Sequence, residues 1–284
     1  MHILLRIAKS NFLPRIAVGL LIAFFLYCGV AGRSHNDNSP ASHLVKSALA
    51  RESSSGEDYT DRLIEFAKTD HIALLQYARE HYSKRIQDYS ATLEKQERIN
   101  NTLKPVETLD IIFKERPFSV LMKWKKNPGK VDKLLYAEGH YDNKMIVHPT
   151  GLFSWLKSAR RDPKGKEARQ SSRRTCDQFG FYRSMDSLLK IYTLAQNQGD
   201  LRIGYVGKTM VDKRPCIAME RILPVKKEYP YARLVMEFDV EYLVPTAITS
   251  YDWQGRLVGR YVYKNLRFNI GLTQDMFTTK ANGL

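Results

Sequence analysis

The sequence predicts an antiparallel α+β fold of about nine strands and three helices, its sheet curled around the helices. Three observations lead there. First, the stretch 231–277 reads as a strand, a break at Pro245, a second strand, a tight turn at Asp252-Trp253-Gln254-Gly255, and a third strand. Its opening residues Leu234, Met236, Phe238, Val240 and Tyr242 alternate with Val235, Glu237, Asp239 and Glu241, the period-2 signature of a sheet with one apolar and one wet face. Second, the elements run helices, strands, helix, strands, which indicates an antiparallel sheet. Third, about nine strands at roughly 4.8 Å make a sheet about 43 Å across, while one helix covers about 10 Å. Three helices cannot blanket a flat sheet of that width, so the sheet must curl and its helices must plug the concavity.

Each element has its own justification. Asp58 to Lys68 and His71 to Gln87 read as helices; Asp70 is the N-cap of the second, on which Leu74, Leu75, Ala78, Tyr82 and Ile86 recur at helical spacing. The period then changes to two. Tyr89, Ala91 and Leu93 open a strand to Ile99, and Asn100-Asn101 signals a turn. Leu109, Ile111 and Phe113 line the next strand, which ends at Arg116-Pro117, and Phe118, Val120, Met122 and Trp124 give a third strand with an apolar face. Asn127-Pro128-Gly129 turns the chain, and Leu134 to Tyr141 with Lys144 to His148 form a hairpin about Asp142-Asn143. From Pro149 to Arg183 no period is found. Ser184 caps a helix to Asn197 carrying Leu188, Leu189, Ile191, Tyr192 and Ala195, after which strands resume at Leu201 to Gly207 and Pro215 to Leu223.

Charge bounds location and partners. Of 284 residues with a formal net charge of +15, Arg6, Lys9 and Arg15 precede an uncharged run from Ile16 to Gly32. That is the pattern of a secretory signal or of an uncleaved inner-membrane anchor, and it assigns residues 1–32 to targeting. Residues 33–57, rich in Ser, Asn, His and Asp, read as a flexible spacer, and residues 58–278 as one folded domain with its N-terminal helices. The body is therefore expected in the periplasm or cell envelope. Between Lys157 and Arg174 eight basic residues face two acidic ones, Asp162 and Glu167. Two readings stay open: a solvated loop, or contact with an anionic membrane or envelope polymer through Arg160, Arg161, Arg173 and Arg174. No nucleic-acid motif accompanies the charge, so no nucleic-acid partner is expected.

Beyond the leader two cysteines remain, Cys176 and Cys216. A bridge between them would close a loop of about 40 residues and stabilise by roughly 4 kcal/mol; two buried free thiols are the other reading. Glu138, His140 and His148 are the side chains a catalytic reading would use, and they read instead as polar pairs across the hairpin. There is no Gly-rich phosphate loop, nucleophile elbow or His-Glu-x-x-His run. The expectation is a protein that is not an enzyme and needs no cofactor or metal. Glu237, Asp239 and Glu241 are assigned to the wet face of their strand.

Three pieces of sequence carry a resemblance: Arg116-Pro117 followed by Phe118 and Trp124; the strand, Val244-Pro245, strand, Tyr251-Asp252 and Gly255 order; and the closing Tyr261-Val262-Tyr263-Lys264-Asn265-Leu266-Arg267-Phe268-Asn269 with Phe277 beyond. Together they resemble the superfamily of the periplasmic lipoprotein carrier LolA and its acceptor LolB. More closely, Asp88-Tyr89, Lys95-Gln96-Glu97-Arg98, Arg116-Pro117-Phe118-Ser119-Val120, Glu138-Gly139 and His148 are similar to an uncharacterised bacterial envelope family related to that superfamily. The resemblance implies an α+β fold in the form of an unclosed antiparallel β half-barrel with a helical lid over an apolar concave side suited to acyl chains of a lipid or lipoprotein, with Arg116 on the strand leading into the cavity and touching the lid. The cavity candidates are Leu109, Ile111, Phe113, Arg116, Phe118, Val120, Met122, Trp124, Met236 and Phe238. The long basic segment and the extended N-terminal helices depart from the carrier pattern. A non-enzymatic envelope scaffold with a closed core is the alternative.

Overall fold

The computed structural model describes residues 56–284. The targeting segment at 1–32 and the spacer up to residue 55 lie outside the described residues. Helices α1 (Gly56–Thr69) and α2 (His71–Arg85) come first, then strands β1 (Asp88–Ile99), β2 (Thr102–Leu103), β3 (Glu107–Lys114), β4 (Ser119–Lys126), β5 (Val131–Ala137), β6 (Met145–Pro149) and β7 (Ala159–Arg161). Helices α3 (Lys166–Ser171) and α4 (Phe181–Asn197) follow, then β8 (Arg202–Val211), β9 (Arg214–Ile222), β10 (Arg233–Asp239), β11 (Pro245–Tyr251), β12 (Leu257–Phe268) and the short α5 (Thr279–Asn282).

All strands join one antiparallel sheet in the order β7-β6-β5-β4-β3-β1-β12-β11-β10-β9-β8, with β2 paired to β1. Neither β7 nor β8 closes the ring, so the fold is an unclosed antiparallel sheet of the α+β class. Among the described residues twelve strands replace the nine or so expected, and β2 and β7, two and three residues long, are too short to carry a period.

Register fixes the concave face. Tyr89, Ala91 and Leu93 of β1 stand opposite Phe113, Ile111 and Leu109 of β3, and β4 places Val120 opposite Phe113 and Met122 opposite Ile111. These side chains form one core with Leu63, Ile64 and Ala67 of α1, Leu74, Leu75, Ala78 and Tyr82 of α2, and Phe181, Met185, Leu188, Leu189 and Tyr192 of α4. Asp70 caps α2 as expected, accepting from the Ala73 N–H at 2.9 Å. Helix α4 starts three residues ahead of Ser184, after Gly180, whose φ is +104°. A Cβ there would lie 2.6 Å from Phe113 Cζ, so glycine is what lets the helix enter this close to the sheet.

Several sequence expectations are corrected. The convex side of β4 is not simply polar: Leu121 joins Leu135, Ala137 and Ile146, covered by Leu272 and Phe277 of the C-terminal segment. Asp239 is not on a wet face but fully buried, paired with Arg214 at 2.5 and 3.1 Å and accepting from the Glu241 and Tyr242 N–H groups. Cys176 and Cys216 are free thiols in separate clusters. Cys176 Sγ rests 3.9 Å from Met145 Sδ and Cys216 Sγ 3.4 Å from Thr246 Oγ1, on different parts of the sheet, so the bridge gives way to two buried thiols.

Candidate functional site

The ten candidate cavity residues divide unequally. Leu109, Ile111, Phe113, Phe118, Val120, Met122, Met236 and Phe238 are buried in the principal core, in contact with the helices that lie over the concave face. Trp124 is half-buried at the rim, its Nε1–H donating to Glu107 at 2.5 Å. Arg116 departs from the expectation: it is exposed in the turn between β3 and β4 and lines nothing. The side chain that joins this turn to the lid is its neighbour Glu115, which accepts from the Tyr82 hydroxyl of α2 at 2.8 Å. Burial raises the Glu115 carboxyl above the usual range, while the Tyr82 hydrogen bond and the charges of Arg183 and Arg116 oppose the rise. Arg183, at the start of α4, lies over the Phe118 ring at 3.7 Å, and Arg79 of α2 pairs with Asp186 of α4 at 2.8 Å. The lid is thus held shut by apolar packing and by polar ties between α2, α4 and the β3–β4 turn. A pocket of ≈ 200 Å³ is lined by Tyr77, Glu80, His81, Lys84 and Arg85, all of α2, and stands beside the lid instead of beneath it.

At the β7 edge of the sheet lies a second surface. Arg160 and Arg161 are exposed on β7, facing Asp142 at 3.2 Å and Glu167 at 3.0 Å, whereas Arg173, though exposed, reaches β1, donating to the Arg98 carbonyl at 3.4 Å. Arg174 is half-buried, donating to Ser184 Oγ at 3.2 Å. The loop from β6 into β7 holds what the sequence reading missed. Leu152, Phe153 and Trp155 are 90%, 61% and 76% exposed, three large apolar side chains within four residues. They stand immediately before Lys157, Arg160 and Arg161. The available signal was three large apolar residues with no periodic partner, ahead of a basic run.

The polar pairs of the β5–β6 hairpin also differ from expectation. Its loop runs from Glu138 to Lys144, so Glu138 and His140 are exposed loop residues that do not face His148. His148 on β6 pairs in register with Lys133 and binds Asp132 through Nδ1 at 2.6 Å. Among the described residues no group of three His, Cys, Asp or Glu side chains is placed to hold a metal ion.

A family model described as "Protein of unknown function (DUF1571)" matches residues 86–282, from the start of β1 through the C-terminal segment. The chain belongs to this family. A search of curated proteins gives no significant match. Among solved structures, this chain is similar to the MucA/MucB complex of Pseudomonas aeruginosa (14% identity, TM-score 0.43, covering 74% of this chain and 61% of that one). It is also similar to a LolA superfamily protein from Nitrosomonas europaea (9%, TM-score 0.34, 73% and 98%). A third is the lipoprotein LppX of Mycobacterium tuberculosis (10%, TM-score 0.41, 72% and 99%). The chain spans about 60% of the MucB chain. At these identities and TM-scores the likenesses bring no ligand or partner to this chain, and the fold stands on its own strand order and register.

Proposed function

We propose that this chain is an exported, non-enzymatic envelope protein that docks on an anionic membrane and binds lipid or lipoprotein acyl chains against the apolar concave side of its sheet. The observation that carries the reading is the exposed Leu152, Phe153 and Trp155 beside Lys157, Arg160 and Arg161. Apolar side chains followed by cations suit a lipid interface, where the former enter the acyl boundary and the latter meet anionic headgroups. A charged polymer would use the cations but offer the three apolar side chains nothing, so the membrane is the favoured partner. The extended apolar core beneath α1, α2 and α4 supports the acyl-chain part, with displacement of the lid as the step that admits a chain.

A second reading, a scaffold whose core stays closed, is favoured by the complete burial of Val120, Phe113 and Phe238 under the helices. The deciding experiment floats the full chain with phosphatidylglycerol-containing and with neutral vesicles, followed by native mass spectrometry of the recovered protein. The proposal expects stronger flotation with anionic vesicles and bound lipid in the spectrum. Anionic preference without bound lipid would leave a membrane-docked scaffold, and equal flotation with both vesicle types would refute the docking.

A further inference from the structure

Strand β9 alternates so that Ile217, Met219 and Arg221 project to one side, and the first two belong to the principal core. Arg221 follows them inward. It stands opposite Ile203 of β8 and Leu234 of β10 and is 0% exposed. Its guanidinium lies over the rings of Tyr192 of α4 at 5.0 Å and of Tyr231 at 5.4 Å. Among the described residues no acceptor meets its Nε, Nη1 or Nη2, and the Tyr192 hydroxyl is buried without a partner as well. Arg214, on the same strand, shows the ordinary solution, with Asp239 and Glu241 on its fork.

The chemistry of the group narrows what the site takes. A guanidinium stays charged at any working pH, and its five N–H donors lie in the plane of the fork. Ring faces stabilise the cation but do not accept in-plane N–H bonds with the strength of an anionic oxygen. A planar carboxylate does so two oxygens at a time, and the Tyr192 hydroxyl is a further donor beside it.

We infer that Arg221 is the head-group ligand of a site beneath α4, binding the carboxylate of a single-chain amphiphile whose hydrocarbon tail lies along the concave face. This rests on the acyl-chain reading above and names the class of lipid. Tail entry follows displacement of α1, which packs over β8 and β9 through Leu63, Ile64 and Ala67. A carboxylate matches one fork, whereas a phosphate monoester carries further charge and oxygens that call for additional donors.

The test uses protein exported from the full-length chain, delipidated, and titrated with three probes: a fluorescent polyene fatty acid, its methyl ester, and lysophosphatidate as competitor. Wild type should bind the acid at least about tenfold more tightly than the ester, and Arg221→Met should reduce acid binding by about 10- to 100-fold, to the level of the ester. The melting temperature of Arg221→Met should hold or rise, because an apolar side chain of similar length replaces a buried charge; this certifies that the variant is folded. Arg221→Lys should keep part of the preference for the acid. Equal binding of acid and ester by wild type, or acid binding unchanged in Arg221→Met, would overturn the inference while leaving acyl binding intact. Binding of neither probe would remove the acyl reading with it. Lysophosphatidate outcompeting the acid through Arg221 would overturn the carboxylate assignment.

Discussion

Replacing Phe153 and Trp155 together by serine should detach the protein from anionic vesicles without loosening its fold. Full burial of one large apolar side chain is worth about 1.5–3 kcal/mol. With 61% and 76% of these two side chains exposed, entry into the acyl boundary should contribute about 3 kcal/mol for the pair. That corresponds to roughly a 100-fold weaker partition coefficient. Stability should change by less than about 0.5 kcal/mol, because neither side chain is part of a core. Arg160→Gln with Arg161→Gln supplies the electrostatic arm, worth about 1 kcal/mol per cation near an anionic surface. Competition from Asp142 and Glu167 lowers that figure. The two arms separate by salt: the arginine effect should fade as ionic strength screens exposed charges over about 10 Å at 0.1 M, while the apolar effect persists. Flotation of the full chain measures both, and any N-terminal contribution is common to every variant. Trp155 reports directly, since its emission should shift to the blue on insertion while half-buried Trp124 and Trp253 change little. Partitioning by the Phe153/Trp155 variant that equals wild type would refute the docking argument.

Val120→Trp should destabilise by about 1–3 kcal/mol in chemical unfolding, since Val120 is fully buried opposite Phe113 and Tyr136. A smaller loss accompanied by reduced lipid uptake would show spare room on the concave face. Acidification should weaken α2. Burial and the charge of Arg85 lower His81 to about 4, and burial lowers His71 too. Folding thus favours their neutral forms, and this stability is present above the ordinary histidine value of about 6.5 and is lost as the pH falls toward 4. His81 is only half-buried, so after allowance for solvent screening its loss should be about 1–2 kcal/mol between pH 7 and 4, and His81→Gln should flatten that part of the profile. An unchanged pH profile in the variant would exclude His81 as the source.

Alternation made most of the sheet legible. Leu109, Ile111 and Phe113, or Leu234, Met236 and Phe238, reveal their common face because successive side chains of a strand point to opposite sides. Periodicity says which side is apolar but not what covers it. For that reason the filling of the concave face by α2 and α4, and the burial of Leu121 beneath Leu272 and Phe277, needed coordinates. Asp239 misled because a buried carboxylate paired with an arginine and two backbone N–H groups keeps the parity of a solvent-facing one. Arg221 shows the converse: its parity with Ile217 and Met219 was readable, but a long cation at a strand's penultimate position can turn outward, and only Tyr192 of a distant helix reveals that it does not. Arg116 failed by one residue. The turn exposes it, and the lid contact belongs to Glu115.

The proposed docking loop and the proposed ligand site fall at opposite ends of the strand order. Leu152, Phe153 and Trp155 precede β7, whereas α1 lies on β8 and β9, with Arg221 beneath the helical layer at that end. The two sites lie on different elements and share no partner, so their effects should add unless a two-state element links them. The Phe153/Trp155 variant should therefore bind a soluble fatty acid like wild type and fail only when the lipid must be drawn from a vesicle, whereas Arg221→Met should dock on vesicles like wild type and bind the acid poorly from either source. Combining the two should multiply the losses in vesicle-to-protein transfer. A double variant no worse than the poorer single one would mean that the membrane contact acts by opening the lid, so that docking and uptake form one coupled step instead of two.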